Sequence, residues 1–201
     1  MERLICVLVG YVFGLIQTGY IYGKKNGVDL RKKGSGNAGT TNALRTMGWK
    51  AGAVTLLGDC FKCVAAVVVV HLIYGKTHTD MMPLLSMYAG MGAVLGHNYP
   101  FYLKFKGGKG IAATAGLIIS TTNIWIVLIC LATFIVIVAA TRYVSLGSMT
   151  VVTIYLISVI VCGQHGGFGV ENVSYLHEMY GVAAFLMILA FWRHRANIKR
   201  L

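Results

Sequence analysis

Two long stretches of the sequence carry no charged side chain, and they constrain the fold more than any other feature. They are residues 124–140 and 151–162. A helix rises about 1.5 Å per residue, so roughly 20 apolar residues cross the hydrocarbon core of a bilayer. Hydrophobic residues make up 57% of the chain and charged residues only 12%, against roughly a quarter charged in a soluble domain. The sequence therefore predicts an all-α, polytopic integral membrane protein.

Seven apolar segments are long enough, or nearly long enough, to enter the bilayer as helices. Five are full spans, at residues 4–22, 51–74, 123–140, 146–163 and 175–192. Two are short, at 83–95 and 111–120, and they flank the polar insert 97–110. Such an insert is tolerated only where protein or water surrounds it. We predict about seven transmembrane helices, two of them short, with five to seven as the range.

The basic residues indicate an orientation. The chain has 18 lysines and arginines against 6 acidic residues. If the N-terminus lies outside, nearly all these cations fall in the inner segments 23–50, 98–110, 141–145 and 193–201. Cytoplasmic loops of membrane proteins are enriched in Lys and Arg. We therefore expect the N-terminus outside and the C-terminus in the cytoplasm, and the uncharged stretches argue against nucleic acid as a partner.

The first inner segment contains a glycine-rich run that is typical of an anion site. Glycines permit positive φ and leave backbone N–H groups uncovered, and a helix that follows adds the dipole of its N-terminus. A terminal arginine matches a phosphate with two parallel hydrogen bonds. The alternative is a flexible linker, which rarely carries this density of Asn and Thr. The candidate residues are Gly34, Ser35, Gly36, Asn37, Gly39, Thr41, Asn42 and Arg45.

A second inner loop places lysines among glycines. Cations beside exposed N–H groups suit a phosphate, although the loop does not match the Walker A pattern. The alternative is a simple basic anchor at the membrane surface. The candidate residues are His97, Lys104, Lys106, Gly107, Gly108, Lys109 and Gly110.

Two shorter features accompany these loops. Residues 141–148 form a polar break between spans and include Ser145. In the basic tail, His194 and Asn197 are three residues apart and so share one helical face. Such a tail is also typical of a plain anchor to anionic lipid.

Charged residues inside the predicted spans are few. Asp59 and Lys62 stand three residues apart within residues 51–74, and charges at that depth are costly unless they have a partner. We expect the two to pair beneath the site. Apart from Asp29 and Asp59 the inner segments offer no carboxylate, so we expect neither a metal site nor a cofactor.

Taken together, these motifs resemble the bacterial acyl-phosphate:glycerol-3-phosphate acyltransferases, the PlsY family. The resemblance rests on residues 34–45, 96–110 and 193–198 and spans nearly the whole chain. It implies transfer of a fatty acyl group from acyl phosphate to the 1-hydroxyl of glycerol 3-phosphate. The products are lysophosphatidic acid (1-acyl-glycerol 3-phosphate) and phosphate, in phospholipid biosynthesis. It also implies a seven-helix fold in the bacterial plasma membrane, with the active site at the cytoplasmic face.

Carried over by position, the resemblance assigns catalysis to Ser35, Arg45, His194 and Asn197. Residues 104–110 and Ser145 are then expected to bind substrate, and residues 1–201 to form a single transmembrane acyltransferase domain. Membrane lipid is a further expected partner, and the oligomeric state stays open. Family members often continue past the tail with a glutamate, whereas this sequence stops at Leu201, so any stabilising role of that glutamate is expected to be absent or taken over elsewhere.

The residues alone leave the function and the proton acceptor open. An organic-phosphate transporter or a noncatalytic lipid-binding protein also needs basic groups. Transporters commonly show paired repeats with broken helices near the midplane, whereas here the polar loops cluster at one face. For acyl transfer, the proton acceptor is either an oxygen of the acyl phosphate or His194. We expect backbone N–H groups near Ser35 to stabilise the oxyanion.

Overall fold

The computed structural model describes residues 1–200, so the C-terminal Leu201 lies outside the described residues. Over this part of the chain all regular secondary structure is helical, which confirms the all-α prediction. The α-helices are α1 Glu2–Gly14, α2 Thr18–Lys25, α3 Thr40–Met47, α4 Trp49–Tyr74, α5 Met82–Asn98, α6 Ile111–Thr121, α7 Ile124–Thr141, α8 Val144–Gln164 and α9 Val173–Ile198.

Five helical segments are long and apolar enough to cross a membrane. They are Glu2–Lys25, which comprises α1 and α2, and the helices α4, α7, α8 and α9. The two predicted short segments form α5, with 17 residues, and α6, with 11. At about 1.5 Å per residue α6 is much shorter than the hydrocarbon core, which is about 30 Å thick. The predicted set of five full spans and two short helices is confirmed, and the protein is a multi-pass membrane protein.

The first span, predicted at residues 4–22, contains a break that the sequence did not predict. Helix α1 ends at Gly14 and α2 begins at Thr18. Two buried side chains bind the carbonyl groups at the break. Gln17 Nε2 donates to the Gly14 carbonyl (3.2 Å), and Lys62 Nζ donates to the carbonyls of Gly14 (3.2 Å) and Ile16 (2.6 Å). A break in a membrane helix is tolerated when neighbouring groups satisfy the freed backbone in this way.

Helix α5 is held against α1 by small residues on both helices. A Cβ atom on Gly10 would lie 1.9 Å from the Ala89 carbonyl oxygen, and one on Gly92 would lie 2.2 Å from the Val7 carbonyl oxygen. Small residues let membrane helices approach to backbone contact, where dispersion replaces the missing hydrophobic drive. The carboxyl end of α5 is thereby fixed in the bundle, and it leads directly into the second loop.

The two ends of the bundle differ in character. One end is closed by a pair of hydrogen bonds from Arg3 to the Glu178 carboxylate (2.6 and 2.7 Å), joined by Tyr88 (3.2 Å). The opposite end carries residues 26–39, residues 99–110 and the last turns of α9. We call residues 26–39 the first loop, residues 99–110 the second loop, and this end of the bundle the loop end.

Candidate active site

The first loop is folded around the side chain of Asn42, in the first turn of α3. Its Nδ2 group donates to the carbonyls of Leu30 (3.0 Å), Lys33 (3.0 Å) and Asn37 (2.9 Å). Its Oδ1 atom accepts from the N–H of Ser35 at 2.9 Å. Asn42 is only 2% exposed, so its hydrogen-bonding capacity is used within the protein. The sequence placed this residue among the substrate contacts, whereas the structure shows it organising the loop.

Several N–H groups of the first loop are already bonded. Ser35 donates to Asn42, Gly36 donates to the Lys33 carbonyl (3.0 Å), and Gly39 donates to Asn37 Oδ1 (2.9 Å). The expectation of uncovered N–H groups at these three residues is therefore wrong. Polar side chains remain exposed here: Ser35 in the loop, and Thr41 and Arg45 on the following helix α3.

Glycine at position 34 is required by the loop geometry. Gly34 has φ of 59°, and a Cβ atom there would lie 2.2 Å from Asn42 Oδ1. A side chain would therefore meet both an unfavourable backbone conformation and a steric clash. The glycine contributes the shape of the loop, while Ser35 beside it carries the exposed hydroxyl group.

A basic cavity lies between the first loop and the second loop. Its volume is about 210 Å³, and it is lined by Asp29, Arg31, Lys32, Gly36, Leu103, Lys104 and Lys106. The hydrogen-bonded Arg31 guanidinium, 2.9 Å from the Asp29 carboxylate, lowers the pKa of that carboxyl group. This pair is close to neutral, so Lys32, Lys104 and Lys106 give the cavity its positive charge. The two loops that the sequence singled out thus share one electropositive recess.

The glycine pair of the second loop packs closely on the end of α5. Gly107 N–H donates to the Asn98 carbonyl (3.2 Å), and Gly108 N–H donates to the His97 carbonyl (3.1 Å). A Cβ atom on Gly107 would lie 2.0 Å from the His97 carbonyl oxygen, and one on Gly108 would lie 1.9 Å from His97 Nε2. The expectation of exposed N–H groups at these two glycines is wrong, because their N–H groups bond to the protein. Their lack of a side chain lets the loop lie on His97.

Gly110 follows with φ of 84° and is the N-cap of α6. The first N–H groups of a helix have no acceptor within it. The Asn98 amide lies beside Gly110, because a Cβ atom there would be 2.7 Å from Asn98 Oδ1. Asn98 is fully buried, and neither atom of its amide has a hydrogen-bond partner within residues 1–200.

A buried polar cluster lies beneath the second loop. Lys62 Nζ contacts Asp59 Oδ1 at 2.9 Å, which confirms the predicted pair. It also contacts His97 Nδ1 at 2.8 Å, and His97 Nδ1 lies 3.6 Å from Asp59 Oδ1. The exposed fractions of Asp59, Lys62 and His97 are 1%, 5% and 3%. His97, which the sequence placed among the substrate contacts, is thus a member of this cluster.

The last turns of α9 form hydrogen bonds with the second loop. Lys109 Nζ donates a hydrogen bond to Asn197 Oδ1. Arg193 donates to the carbonyls of Gly108 (2.7 Å) and Gly107 (3.2 Å). The structure therefore joins Lys109 and Asn197, two of the predicted site residues, and adds Arg193 as a clamp.

Lys109 is the loop cation with a strongly altered acidity. Its partial burial, together with the nearby cations Arg200 and Arg193, lowers its pKa from the usual value to about 8. Burial and like charge both disfavour the protonated amine. An incoming phosphate would reverse this effect, so Lys109 is well suited to bind an anion.

His194 is buried one turn before Asn197. Its Nδ1 atom lies 2.8 Å from the Ala190 carbonyl oxygen. A carbonyl oxygen only accepts, so Nδ1 carries the proton and a neutral ring has its lone pair on Nε2. That tautomer can take a proton from a hydroxyl group.

The other predicted site residues are less tightly joined. Ser145 lies in the first turn of α8, and residues 165–172 join the far end of α8 to α9, so Ser145 lies at the loop end like His194. No hydrogen bond joins Ser35, Arg45, Ser145 or His194 to one another within the described chain. Within residues 1–200 no group of three His, Cys, Asp or Glu side chains could hold a metal ion.

Sequence reasoning missed the roles of Gln17 and Arg193. Gln17 is a polar residue in the middle of the first apolar run, and that position is the signal that could have marked the break. Arg193 was recognised only as part of a basic tail, because nothing local shows that it reaches a loop 85 residues earlier.

Comparisons with known proteins agree with this arrangement. The model of the glycerol-3-phosphate acyltransferase family matches residues 4–201. The chain is 42% identical to the glycerol-3-phosphate acyltransferase of Clostridioides difficile (strain 630), over 98% of this chain and 91% of that protein. It is 37% identical to that of Bacillus subtilis (strain 168), over 97% of this chain and 91% of that protein.

Solved structures give the same answer for the fold. The chain matches PlsY, an integral membrane glycerol 3-phosphate acyltransferase, in its glycerol 3-phosphate form, with a TM-score of 0.82 and 30% identity. That match covers 100% of this chain and 92% of that chain. The lysophosphatidic acid form of PlsY matches with a TM-score of 0.81. The chain therefore belongs to the glycerol-3-phosphate acyltransferase family.

Proposed function

We propose that this protein transfers a fatty acyl group from acyl phosphate to the 1-hydroxyl of glycerol 3-phosphate, and that residues 1–201 act as one transmembrane acyltransferase domain. The observation that carries the proposal is the contact between Lys109 and Asn197. It joins the basic second loop to the helix face that bears His194, so a phosphate-binding cation and a candidate base lie in one place. The family membership and the glycerol 3-phosphate form of the related PlsY support the choice of substrate.

Both substrates carry phosphate, which accounts for two basic loops instead of one. In our proposal Lys104, Lys106 and Lys109 hold glycerol 3-phosphate, with Gly110 at the start of α6 beside them. Gly107 and Gly108 let the loop pack closely on the end of α5. An ammonium ion gives a strong charge-assisted hydrogen bond to a phosphate oxygen. Ser145 completes the pocket from the first turn of α8.

The first loop then receives the acyl phosphate. Its exposed donor is the Ser35 hydroxyl group, and α3 adds Thr41 and the Arg45 guanidinium. Gly34, Gly36, Asn37, Gly39 and Asn42 hold the loop in shape. Because the N–H of Ser35 is bonded to Asn42, we assign oxyanion stabilisation to the Ser35 hydroxyl and Arg45 instead. Donors aimed at the developing negative charge stabilise the transition state of acyl transfer.

The bond changes are simple. The 1-hydroxyl oxygen of glycerol 3-phosphate bonds to the acyl carbon, and the bond between that carbon and the phosphate oxygen breaks. Phosphate leaves with the electron pair, and the hydroxyl proton passes to His194 Nε2 or to an oxygen of the acyl phosphate. Phosphate is a good leaving group, so no acid is required to assist it.

A His194→Ala variant distinguishes the two proton acceptors. If Nε2 is the general base, kcat falls by about a thousandfold or more, whereas substrate assistance predicts a loss of about tenfold. The measurement is kcat at saturating concentrations of both substrates. An acyl-enzyme trapped in the absence of glycerol 3-phosphate would contradict direct transfer.

We place the reaction at the cytoplasmic face of the bacterial plasma membrane. The support is the concentration of lysines and arginines at the loop end, as expected for the cytoplasmic side. The acyl chain would reach this end from the surrounding lipid. A cysteine-labelling experiment on intact cells and inverted vesicles tests this orientation, because Lys104→Cys should react only when the cytoplasmic face is accessible.

The functional test is phosphate release by the purified protein in detergent. We expect release that requires both acyl phosphate and glycerol 3-phosphate. Well-folded protein that releases no phosphate would contradict the proposal.

A transporter is not favoured. The backbone carbonyls at the break at residues 15–17 are bonded by Lys62 and Gln17, whereas broken helices in transporters leave such backbone groups for substrate or ions.

A further inference from the structure

The buried cluster beneath the second loop has more contacts than a simple ion pair needs. Lys62 Nζ lies within hydrogen-bond distance of four acceptors: Asp59 Oδ1 (2.9 Å), His97 Nδ1 (2.8 Å), and the carbonyls of Gly14 (3.2 Å) and Ile16 (2.6 Å). An ammonium group has three hydrogens and only donates. It therefore bonds one helix break, one carboxylate and one imidazole at the same time.

His97 connects this cluster to the second loop. Because Lys62 donates to Nδ1, the proton of a neutral His97 ring sits on Nε2, the atom that lies against Gly108. The His97 carbonyl accepts from Gly108 N–H (3.1 Å) and from Gln17 Nε2 (3.0 Å). Lys62 thus fixes the ring of His97, while Gln17 fixes its carbonyl group.

The loop that rests on His97 leads directly to Lys109. Arg193 bonds the carbonyls of Gly107 and Gly108 from α9, so the glycine pair is held from both sides. A shift of the His97 ring towards the loop meets Gly108, where even a Cβ atom would lie 1.9 Å from Nε2. Such a shift would move the loop, and with it the Lys109 amine next in the chain.

We propose that Lys62 and Gln17 are positioning residues that act through His97 to set the second loop for binding of glycerol 3-phosphate. This inference rests on the proposed function. Neither residue touches substrate, and both act on the affinity for the phosphate-bearing acceptor. The first loop, which we assign to acyl phosphate, rests on Asn42 instead.

The test separates positioning from simple support of the fold. Lys62→Met alone leaves the buried Asp59 carboxylate without its cation, which is destabilising. The double variant Asp59→Asn with Lys62→Met removes both charges, so we expect its melting temperature to recover. The double variant still lacks the hydrogen bond between Lys62 and His97. We therefore expect its KM for glycerol 3-phosphate to rise at least tenfold. KM for acyl phosphate and kcat should stay within threefold of wild type.

Gln17→Met tests the same positioning of His97 without changing any charge, because it removes the hydrogen bond from Gln17 to the His97 carbonyl. We expect its KM for glycerol 3-phosphate to rise at least threefold, with the melting temperature little changed. Lys76→Met, an exposed cation at the other end of the bundle, is the matched control and should leave both KM values unchanged. Gln17→Met also serves if the double variant does not fold.

The outcomes are distinct. If KM for glycerol 3-phosphate is within twofold of wild type in well-folded Gln17→Met, or in the folded double variant, the inference is overturned. If both KM values and kcat change equally, the cluster supports the fold as a whole and the inference is also overturned. If wild-type protein shows no turnover that depends on glycerol 3-phosphate, the proposed function itself fails.

Discussion

Alanine in place of Gly108 tests how closely the second loop must lie on His97. The added Cβ atom would sit 1.9 Å from His97 Nε2, and 2.7 and 2.8 Å from the ring carbons Cε1 and Cδ2. Non-bonded carbon atoms are at optimal separation at about 3.5–4.0 Å. The distance from the added Cβ to Nε2 therefore has to increase by more than about 1 Å. The distances to the two ring carbons have to increase by roughly 0.7 Å or more.

The ring cannot give way cheaply, because its other nitrogen is bonded to Lys62. The strain then falls on the loop. Inserting a carbon into a packed interior costs about 1–3 kcal/mol, and misplacing a reacting group by about 1 Å costs on the order of a hundredfold in rate. We predict that the free energy of unfolding of Gly108→Ala falls by about 1–3 kcal/mol. We also predict that kcat/KM for glycerol 3-phosphate falls about a hundredfold.

The assay is phosphate release against glycerol 3-phosphate concentration, combined with thermal unfolding in detergent. Gly181→Ala is the matched control: a Cβ atom there meets nothing within 4 Å, and alanine favours an α-helix over glycine by up to about 1 kcal/mol. A kcat/KM for Gly108→Ala within threefold of that of Gly181→Ala would refute the claim that the second loop must pack closely against His97.

Two further variants test the charge of Lys109 and the shape of the first loop. Lys109 has a pKa of about 8, so it is charged below that pH and loses its charge above it. We expect kcat/KM for glycerol 3-phosphate to fall as the pH rises through about 8, and kcat to fall less, because bound phosphate favours the charged amine. Lys109→Arg should abolish the fall, and an unchanged profile would contradict this role. Asn42→Ala removes the bonds that fold the first loop, so we expect kcat/KM for acyl phosphate to drop at least tenfold and the melting temperature to fall; activity equal to wild type would show that the loop folds without it.

The membrane helices could be predicted because each one is encoded locally. Residues 124–140 form an uncharged run of the required length, and α7 occupies Ile124–Thr141. The break at residues 15–17 could not be predicted in the same way. It depends on Lys62, which lies on another helix and bonds carbonyl groups 46 and 48 residues earlier.

The site shows the same division between local and distant information. Glycine-rich composition indicated two loops, and both contribute residues to one basic cavity at the loop end. Composition did not show which N–H groups are free. The N–H of Ser35 donates to Asn42, and the N–H groups of Gly107 and Gly108 donate to carbonyls at the end of α5. Which partner a glycine N–H finds is decided by packing, so the sequence could only name the loop.

The contact between Lys109 and Asn197 likewise joins residues 88 positions apart. Spacing predicted that His194 and Asn197 share a helical face, and both lie in the last turns of α9. Spacing alone gave no distance between that face and the second loop. The family resemblance supplied the association, and the fold supplies its physical basis.

The most direct test of the proposed acyl transfer is the stoichiometry of the two products. Purified protein is incubated with acyl phosphate and glycerol 3-phosphate, and phosphate and 1-acyl-glycerol 3-phosphate are measured together over time. We expect equal amounts of the two products, with the acyl group on the 1-hydroxyl, and neither product when one substrate is omitted. Phosphate released at the same rate without glycerol 3-phosphate would show hydrolysis instead of transfer and would contradict the account.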